Sequence, residues 1–142
     1  MNNFTKRMTI AAAALVAAAG MASAQTMKAE IPFSFHAAGA VLAPGGYEIA
    51  ILDGASGIPL LRIRNAETNK TVLAMPLTNE DPRKEWTASG EAKLSFECGA
   101  STCGLVEAWT PGYPAYKFAA PKIGKDEPRR VAVIVMRPEK GE

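Results

Sequence analysis

The chain has 142 residues, 48% of them hydrophobic, with 16 basic and 14 acidic side chains, two cysteines and one histidine. That length fits a single domain with a core of its own. Neither charge is concentrated: the densest basic spot, Arg129-Arg130, sits beside Asp126 and Glu127, which speaks against a nucleic-acid surface.

At the N-terminus Lys6 and Arg7 precede an alanine-rich apolar run, Met8 to Met21, and Ala22-Ser23-Ala24 follows. A charged start, an apolar stretch and a small-residue cleavage site make up a secretory signal peptide. A spanning helix takes about 20 apolar residues, more than this run offers, so cleavage after Ala24 is expected, with a retained N-terminal anchor as the alternative. The expected organisation is a signal peptide over residues 1–24 and an exported β domain over residues 25–142, destined for the periplasm or the extracellular space and not integral to the membrane. Cleavage removes Lys6 and Arg7 and leaves equal numbers of basic and acidic side chains.

Beyond Gln25, turn residues recur every eight to twelve positions or so, the rhythm of an all-β sandwich or barrel. In Glu30 to Phe35, Ile31, Phe33 and Phe35 alternate with Pro32 and Ser34, which predicts a strand with one apolar face. Pro32 cannot donate to a ladder and marks it as an edge. Ala43-Pro44-Gly45-Gly46 predicts a turn, Tyr47 to Leu52 a strand, and Asp53 to Gly57 another turn. Leu60 to Arg64 reads as a strand with Leu61 and Ile63 on one face and Arg62 and Arg64 on the other. Thr71 to Met75 is the next strand, after a polar turn over residues 65–70. Thr78 to Gly90 lacks periodicity and reads as a long loop. Lys93 to Cys98 and Cys103 to Trp109, separated by Gly99-Ala100-Ser101-Thr102, form a hairpin. Thr110 to Pro128 is irregular, with a short edge strand at Tyr116-Lys117-Phe118. Val131 to Met136 is apolar on both faces and β-branched, as suits a central strand covered on both sides. No window after Gln25 sustains helical periodicity. The expectation is one antiparallel β-sandwich or barrel of about seven strands.

Cys98 and Cys103 fall at the two ends of the hairpin turn. An exported protein meets oxidising conditions, and pairing Cys98 with Cys103 also sets Phe96 opposite Leu105. A structural disulfide is expected, with a redox role and free thiols as alternatives. The redox pattern has two residues between its cysteines, whereas four intervene here. Zinc needs four ligands, and His36 stands far from both cysteines. No metal or other cofactor is expected.

Catalytic patterns are equally thin. His36 lacks a nucleophile or carboxylate beside it in sequence and reads as a strand-end residue. Glu80, Asp81, Glu85 and Glu91 fall in or near the long loop, where acidic side chains are usually solvated. Glu107 interrupts an apolar face between Leu105 and Trp109. It either pairs with an arginine such as Arg62 or Arg64, marks a rim, or follows a bulge. Trp109, Tyr113 and Tyr116, interleaved with Pro111, Gly112 and Pro114, suit a ligand-facing loop; packing of the same residues onto the sheet is the alternative reading, and the preferred one. Asn69-Lys70-Thr71 matches a glycosylation acceptor, a pattern too common to weigh.

Ile31-Pro32-Phe33-Ser34-Phe35, followed by Ala43-Pro44-Gly45-Gly46-Tyr47-Glu48-Ile49, resembles the opening of a group of small secreted bacterial proteins, common in acidobacteria and of unknown function. Their mature chains begin with a VPFDF strand and an LPAGxY turn. The later strands match more loosely, and the cysteine hairpin and proline-rich segment depart from that pattern. The resemblance implies a secreted β protein and supplies no catalytic residue, cofactor or substrate.

The sequence therefore points to an exported, non-enzymatic binding or envelope-interaction module, its partner an envelope protein, an extracellular protein or a glycan. The alternatives are a carbohydrate-active or other hydrolase whose carboxylates converge in space, and a small-molecule carrier with a barrel cavity.

Overall fold

Two open β-sheets pack face to face, as a computed structural model of residues 25–54 and 57–139 shows. The expected signal peptide (residues 1–24) lies outside the described residues, as do Ala55 and Ser56 of the expected turn. In chain order the strands are β1 (Thr26–Ile31), β2 (Phe35–Ala37), β3 (Ala40–Leu42), β4 (Gly45–Asp53), β5 (Pro59–Asn65), β6 (Thr71–Ala74) and β7 (Thr78–Glu80). A short helix α1 (Lys84–Ser89) comes next, then β8 (Lys93–Cys98), β9 (Cys103–Trp109), β10 (Ala115–Lys117), β11 (Arg130–Val135) and β12 (Arg137–Pro138). The first sheet runs β12-β1-β4-β5-β6 and the second β11-β8-β9-β10-β7, with the β2–β3 hairpin attached to β9 by one parallel bridge.

Of the two expected architectures the all-β sandwich is the one observed and the sheets do not close into a barrel; the described residues hold twelve strands rather than about seven. Short strands account for the difference. β2, β3, β7 and β12 have two or three residues each, too few to display a period. Thr78 to Gly90, expected as a loop, instead contains β7 and α1, a helix of six residues that ends at Gly90 in the left-handed region (φ +69°).

The opening motif is where the chain first changes sheets. β1 ends at Ile31 in the first sheet and β2 begins at Phe35 in the second. Pro32, which cannot donate to a ladder, falls in the crossing rather than in an edge strand. β1 itself is interior, between β12 and β4. The crossing carries the aromatic centre of the core. Phe33 and Phe35 meet Phe96 edge-on at 5.0 and 5.3 Å, and Phe35 meets Tyr47 at 5.3 Å. The Tyr47 hydroxyl donates to the Ala43 carbonyl, which fixes the turn into β4. Ile31, Ile49, Leu61, Ile63, Leu94 and Leu105 fill the space between the sheets.

The last of the four changes of sheet among the described residues occurs at Met136, which is 2% exposed and donates its N–H to the Ala92 carbonyl. It links β11 on the edge of the second sheet to β12 on the edge of the first. The expectation of a central strand at Val131 to Met136 is therefore corrected: β11 is an edge strand. Ala132 and Ile134 pack on the core, but Val131, Val133 and Val135 are 61, 43 and 40% exposed. β10 differs in the opposite sense, since it lies between β9 and β7 and not at an edge.

Candidate functional site

Chemistry-bearing side chains gather in two places. One is the outer face of the second sheet, under α1. β9 carries an extra residue there: Ser95 stands opposite Glu107 and Phe96 opposite Leu105, so Val106 forms a bulge. The bulge shifts the side-chain alternation by one. Leu105 and Ala108 face the core, while Glu107 and Trp109 face outward into the layer that α1 covers. Of the three expectations for Glu107, the bulge is the one observed, and its ion partners are Arg83 and Lys117 rather than Arg62 or Arg64.

Glu107 is 1% exposed. Its Oε1 accepts hydrogen bonds from Arg83 Nη2 and Lys117 Nζ, both at 3.1 Å. Lys117 Nζ also lies 3.0 Å from Glu80 Oε1. Burial by itself would lower the Lys117 pKa, but hydrogen bonds and charge from Glu80 and Glu107 outweigh it and raise the amine above the ordinary lysine value. The Arg83 guanidinium also sits 4.9 Å from the centre of the Trp86 ring. Glu107 Oε2 and the opposing Ser95 hydroxyl are buried with no hydrogen-bond partner among the described residues. A catalytic carboxylate needs access to its substrate, and Glu107 lines none of the three concavities described below.

The other place is a groove of about 780 Å³ between the two sheet edges. Val133, Ile134 and Val135 of β11 form one wall, and Lys28, Ala29 and Glu30 of β1 form the other. The groove exists because β12 is so short. It pairs with β1 only at Met27 and Lys28, so Ala29 to Ile31 have no strand on that side. Met136, which in that register would face Ala29, is instead bonded to Ala92 where the chain comes across from the second sheet. Charge at the groove is mixed: Glu30, Glu48 and Lys28 line it, and Arg137 stands at its end. Glu48 is held by Arg64 across the sheet, and Lys28 lies 3.7 Å from Glu139. Arg137 makes no ion pair among the described residues. Its volume is within the roughly 300–1,000 Å³ of typical ligand sites.

Two smaller concavities lie elsewhere on the surface. One of about 190 Å³ lies between His36, Met75, Leu77 and Phe118. His36 stands opposite Val41 in the β2–β3 hairpin. The other, about 160 Å³, lies between Gln25, Ile51, Thr110 and Tyr113.

The aromatic residues singled out in the sequence do not converge on one cavity. Trp109 is 3% exposed, packs on Trp86 at 6.4 Å between ring centres, and donates its indole N–H to the Tyr113 carbonyl at 3.0 Å. Tyr116 is buried in β10; burial first, then the charges of Tyr113 and Asp53, raise its pKa above the usual phenol value. Tyr113 alone of the three is exposed. Cys98 and Cys103 stand opposite each other at the end of the β8–β9 hairpin with their sulfurs at disulfide distance, 2.13 Å, and Phe96 faces Leu105 as the pairing requires. The pair is covered: Cys98 is fully buried and Cys103 nearly so, with Ile123 over Gly99 and Pro121 over Gly104.

Sequence reasoning missed Arg83 and Lys117 as partners of Glu107, and missed the groove altogether. The bulge that re-aims Glu107 has no residue signature in Leu105-Val106-Glu107. The one trace of the groove was Val131 to Met136 itself, apolar on both faces. No group of three or more His, Cys, Asp or Glu among the described residues is arranged to hold a metal ion. No described helix is long and apolar enough to cross a membrane.

Compared with models of protein families, with curated proteins and with solved structures, the chain gives no match.

Proposed function

We propose that the protein is an exported, non-enzymatic binding module whose partner seats in the groove between β1 and β11. The observation that carries this reading is the groove itself, the largest of the three concavities, bordered by two strand edges and an exposed valine row. Contiguous exposed apolar surface beside polar residues marks an interaction site. Export rests on the N-terminal pattern of Lys6-Arg7, an apolar run and Ala22-Ser23-Ala24, and on a cysteine pair suited to an oxidising compartment. The opening strand-turn-strand also leads us to group the chain with the small secreted bacterial β proteins it resembles. The hydrolase reading draws less support, because the oxygen of Glu107 that faces Arg83 and Lys117 is taken up by those cations.

The test uses labelled mature protein and envelope preparations from the source cells. Saturable binding is expected, lost in the Glu30→Lys, Val135→Lys double variant, whose two changes lie on opposite walls of the groove. Hydrolysis of glycan or ester substrates that disappears in Glu107→Gln would instead establish the enzyme reading.

A further inference from the structure

We infer that the groove recognises an extended peptide segment of another protein, which adds to the free edge of β11 as a further strand, with apolar residues against the valine row and acidic residues at both ends. This rests on the binding-module reading and specifies its partner.

The first ground is the edge. β11 pairs only with β8, and one row of its backbone N–H and C=O groups has no strand beside it. Exposed edges invite pairing, and proteins commonly blunt them with proline, lysine, bulges or short length. The other edge strands follow that habit: β6 has four residues and stops short of Pro76, while β7 has three polar ones. β11 is six residues long and has no proline, lysine or bulge. The second ground is composition. Val131 to Val135 is apolar on both faces, a pattern that belongs to a strand covered on both sides, yet in this chain only the Ala132 and Ile134 face is covered. The third is space: the groove lies along Val133 to Val135.

The groove walls are mixed in charge, with Lys28, Glu30 and Glu48, and it is the two ends of β11 that select the flanks of the occupant. Arg130 begins β11 and Arg137 follows its end, both exposed and neither ion-paired among the described residues. A second copy of the chain is the obvious rival, since an edge strand can pair with itself about a two-fold axis. Only a register centred on Val133 matches all three valines with valines, and it brings Arg129 and Arg130 of each copy towards Arg137 of the other. Like charges so placed oppose pairing. A foreign strand with an apolar centre and acidic flanks meets the same surface without that conflict. Recognition would follow the strand-addition mode, in which main-chain hydrogen bonds hold the peptide and alternate side chains select it.

The experiment titrates ¹⁵N-labelled mature protein with the synthetic peptide Asp-Glu-Val-Thr-Val-Thr-Val-Glu-Asp, capped at both ends. The expected result is amide shift changes concentrated in Val131 to Val135 and Lys28 to Ile31. Binding should weaken at least tenfold when lysine replaces the acidic residues, and at least tenfold when proline replaces the central valine. The Arg130→Glu, Arg137→Glu double variant, altered only at exposed positions, should prefer the lysine peptide. Equal binding of acidic and basic peptides, or shift changes centred on His36 and Met75, would overturn the inference. So would concentration-dependent dimerisation of the free protein that Val133→Lys abolishes, which would make a second copy the occupant. Absence of peptide binding alongside saturable envelope binding lost in Glu30→Lys, Val135→Lys would refute strand addition while leaving the binding-module reading intact.

Discussion

At the residue scale, Glu107 shows how a single inserted position decides a side chain's surroundings. Without the bulge at Val106 its carboxylate would point into the apolar space between the sheets, where an unpaired charge is very costly. With it, the carboxylate reaches Arg83 and Lys117. Removing one partner of a buried ionic contact leaves the others uncompensated, although Arg83 and Lys117 are partly exposed and can turn to water. Glu107→Gln should therefore destabilise the fold by about 1–3 kcal/mol in denaturant titration, while Glu85→Gln on the exposed side of α1 should change little. The raised pKa values of Lys117 and Tyr116 predict alkaline lability. Both groups hold their protons more tightly when folded than when unfolded, so their contribution is complete below about pH 10 and is lost as pH rises through the folded values. Thermal midpoints should fall as pH rises above about 10, and less steeply in Glu107→Gln, which takes one of the raising influences from Lys117. Ala38 offers an independent test. The β2–β3 turn places Ala38 at φ +52° and Gly39 at φ +76°, and the left-handed region costs an alanine roughly 1 kcal/mol. Ala38→Gly should raise stability by about 0.5–1 kcal/mol, and a fall would show that the turn differs from the one described.

Among the elements, the cysteine hairpin is the most self-contained unit. A cross-link closing so short a loop contributes roughly 2 kcal/mol in the chain-entropy model. The Cys98→Ala, Cys103→Ala double variant should stay folded with a loss of that size, and alkylation of the mature protein without reductant should leave its intact mass unchanged. Gly104, in the same hairpin, lies under Pro121; a Cβ there would stand 2.9 Å from the proline ring. Gly104→Val should cost about 1–3 kcal/mol through overpacking. The hairpin was also the element most legible in the sequence, because Leu94, Phe96 and Cys98 alternate without interruption and Cys98 and Cys103 fix the register. Leu61 and Ile63, with Arg62 and Arg64 on the opposite face, were equally plain. β2, β3 and β7 were not, since three residues cannot show a period, and α1 was hidden because only Trp86 of its residues is buried. The neighbours of Val131 to Val135 could not be read either. A run apolar on both faces looks the same whether its second face is covered by this chain, by another, or by nothing. The groove followed from where β12 stops, which local pattern does not encode.

The whole molecule is held together by its four changes of sheet among the described residues. Between β1 and β2, β3 and β4, β6 and β7, and at Met136 between β11 and β12, the chain leaves one sheet for the other, so neither sheet can detach without dragging a strand of its partner. Met136 is buried at the last of these points, and Met136→Ala should cost about 2–5 kcal/mol, with loss of protection in both sheets together rather than in one. Loss confined to the first sheet in hydrogen exchange would show the sheets to be separate cooperative units. The joint at Met136 also sets the timing of folding. β1, near the start of the described chain, finds its β12 neighbour about 110 residues later, and contacts so distant in sequence are slow to form. A ribosome that has released everything up to β10 still holds a chain whose first sheet lacks a strand. Until those last residues emerge, each sheet waits for an edge strand, β12 for the first and β11 for the second.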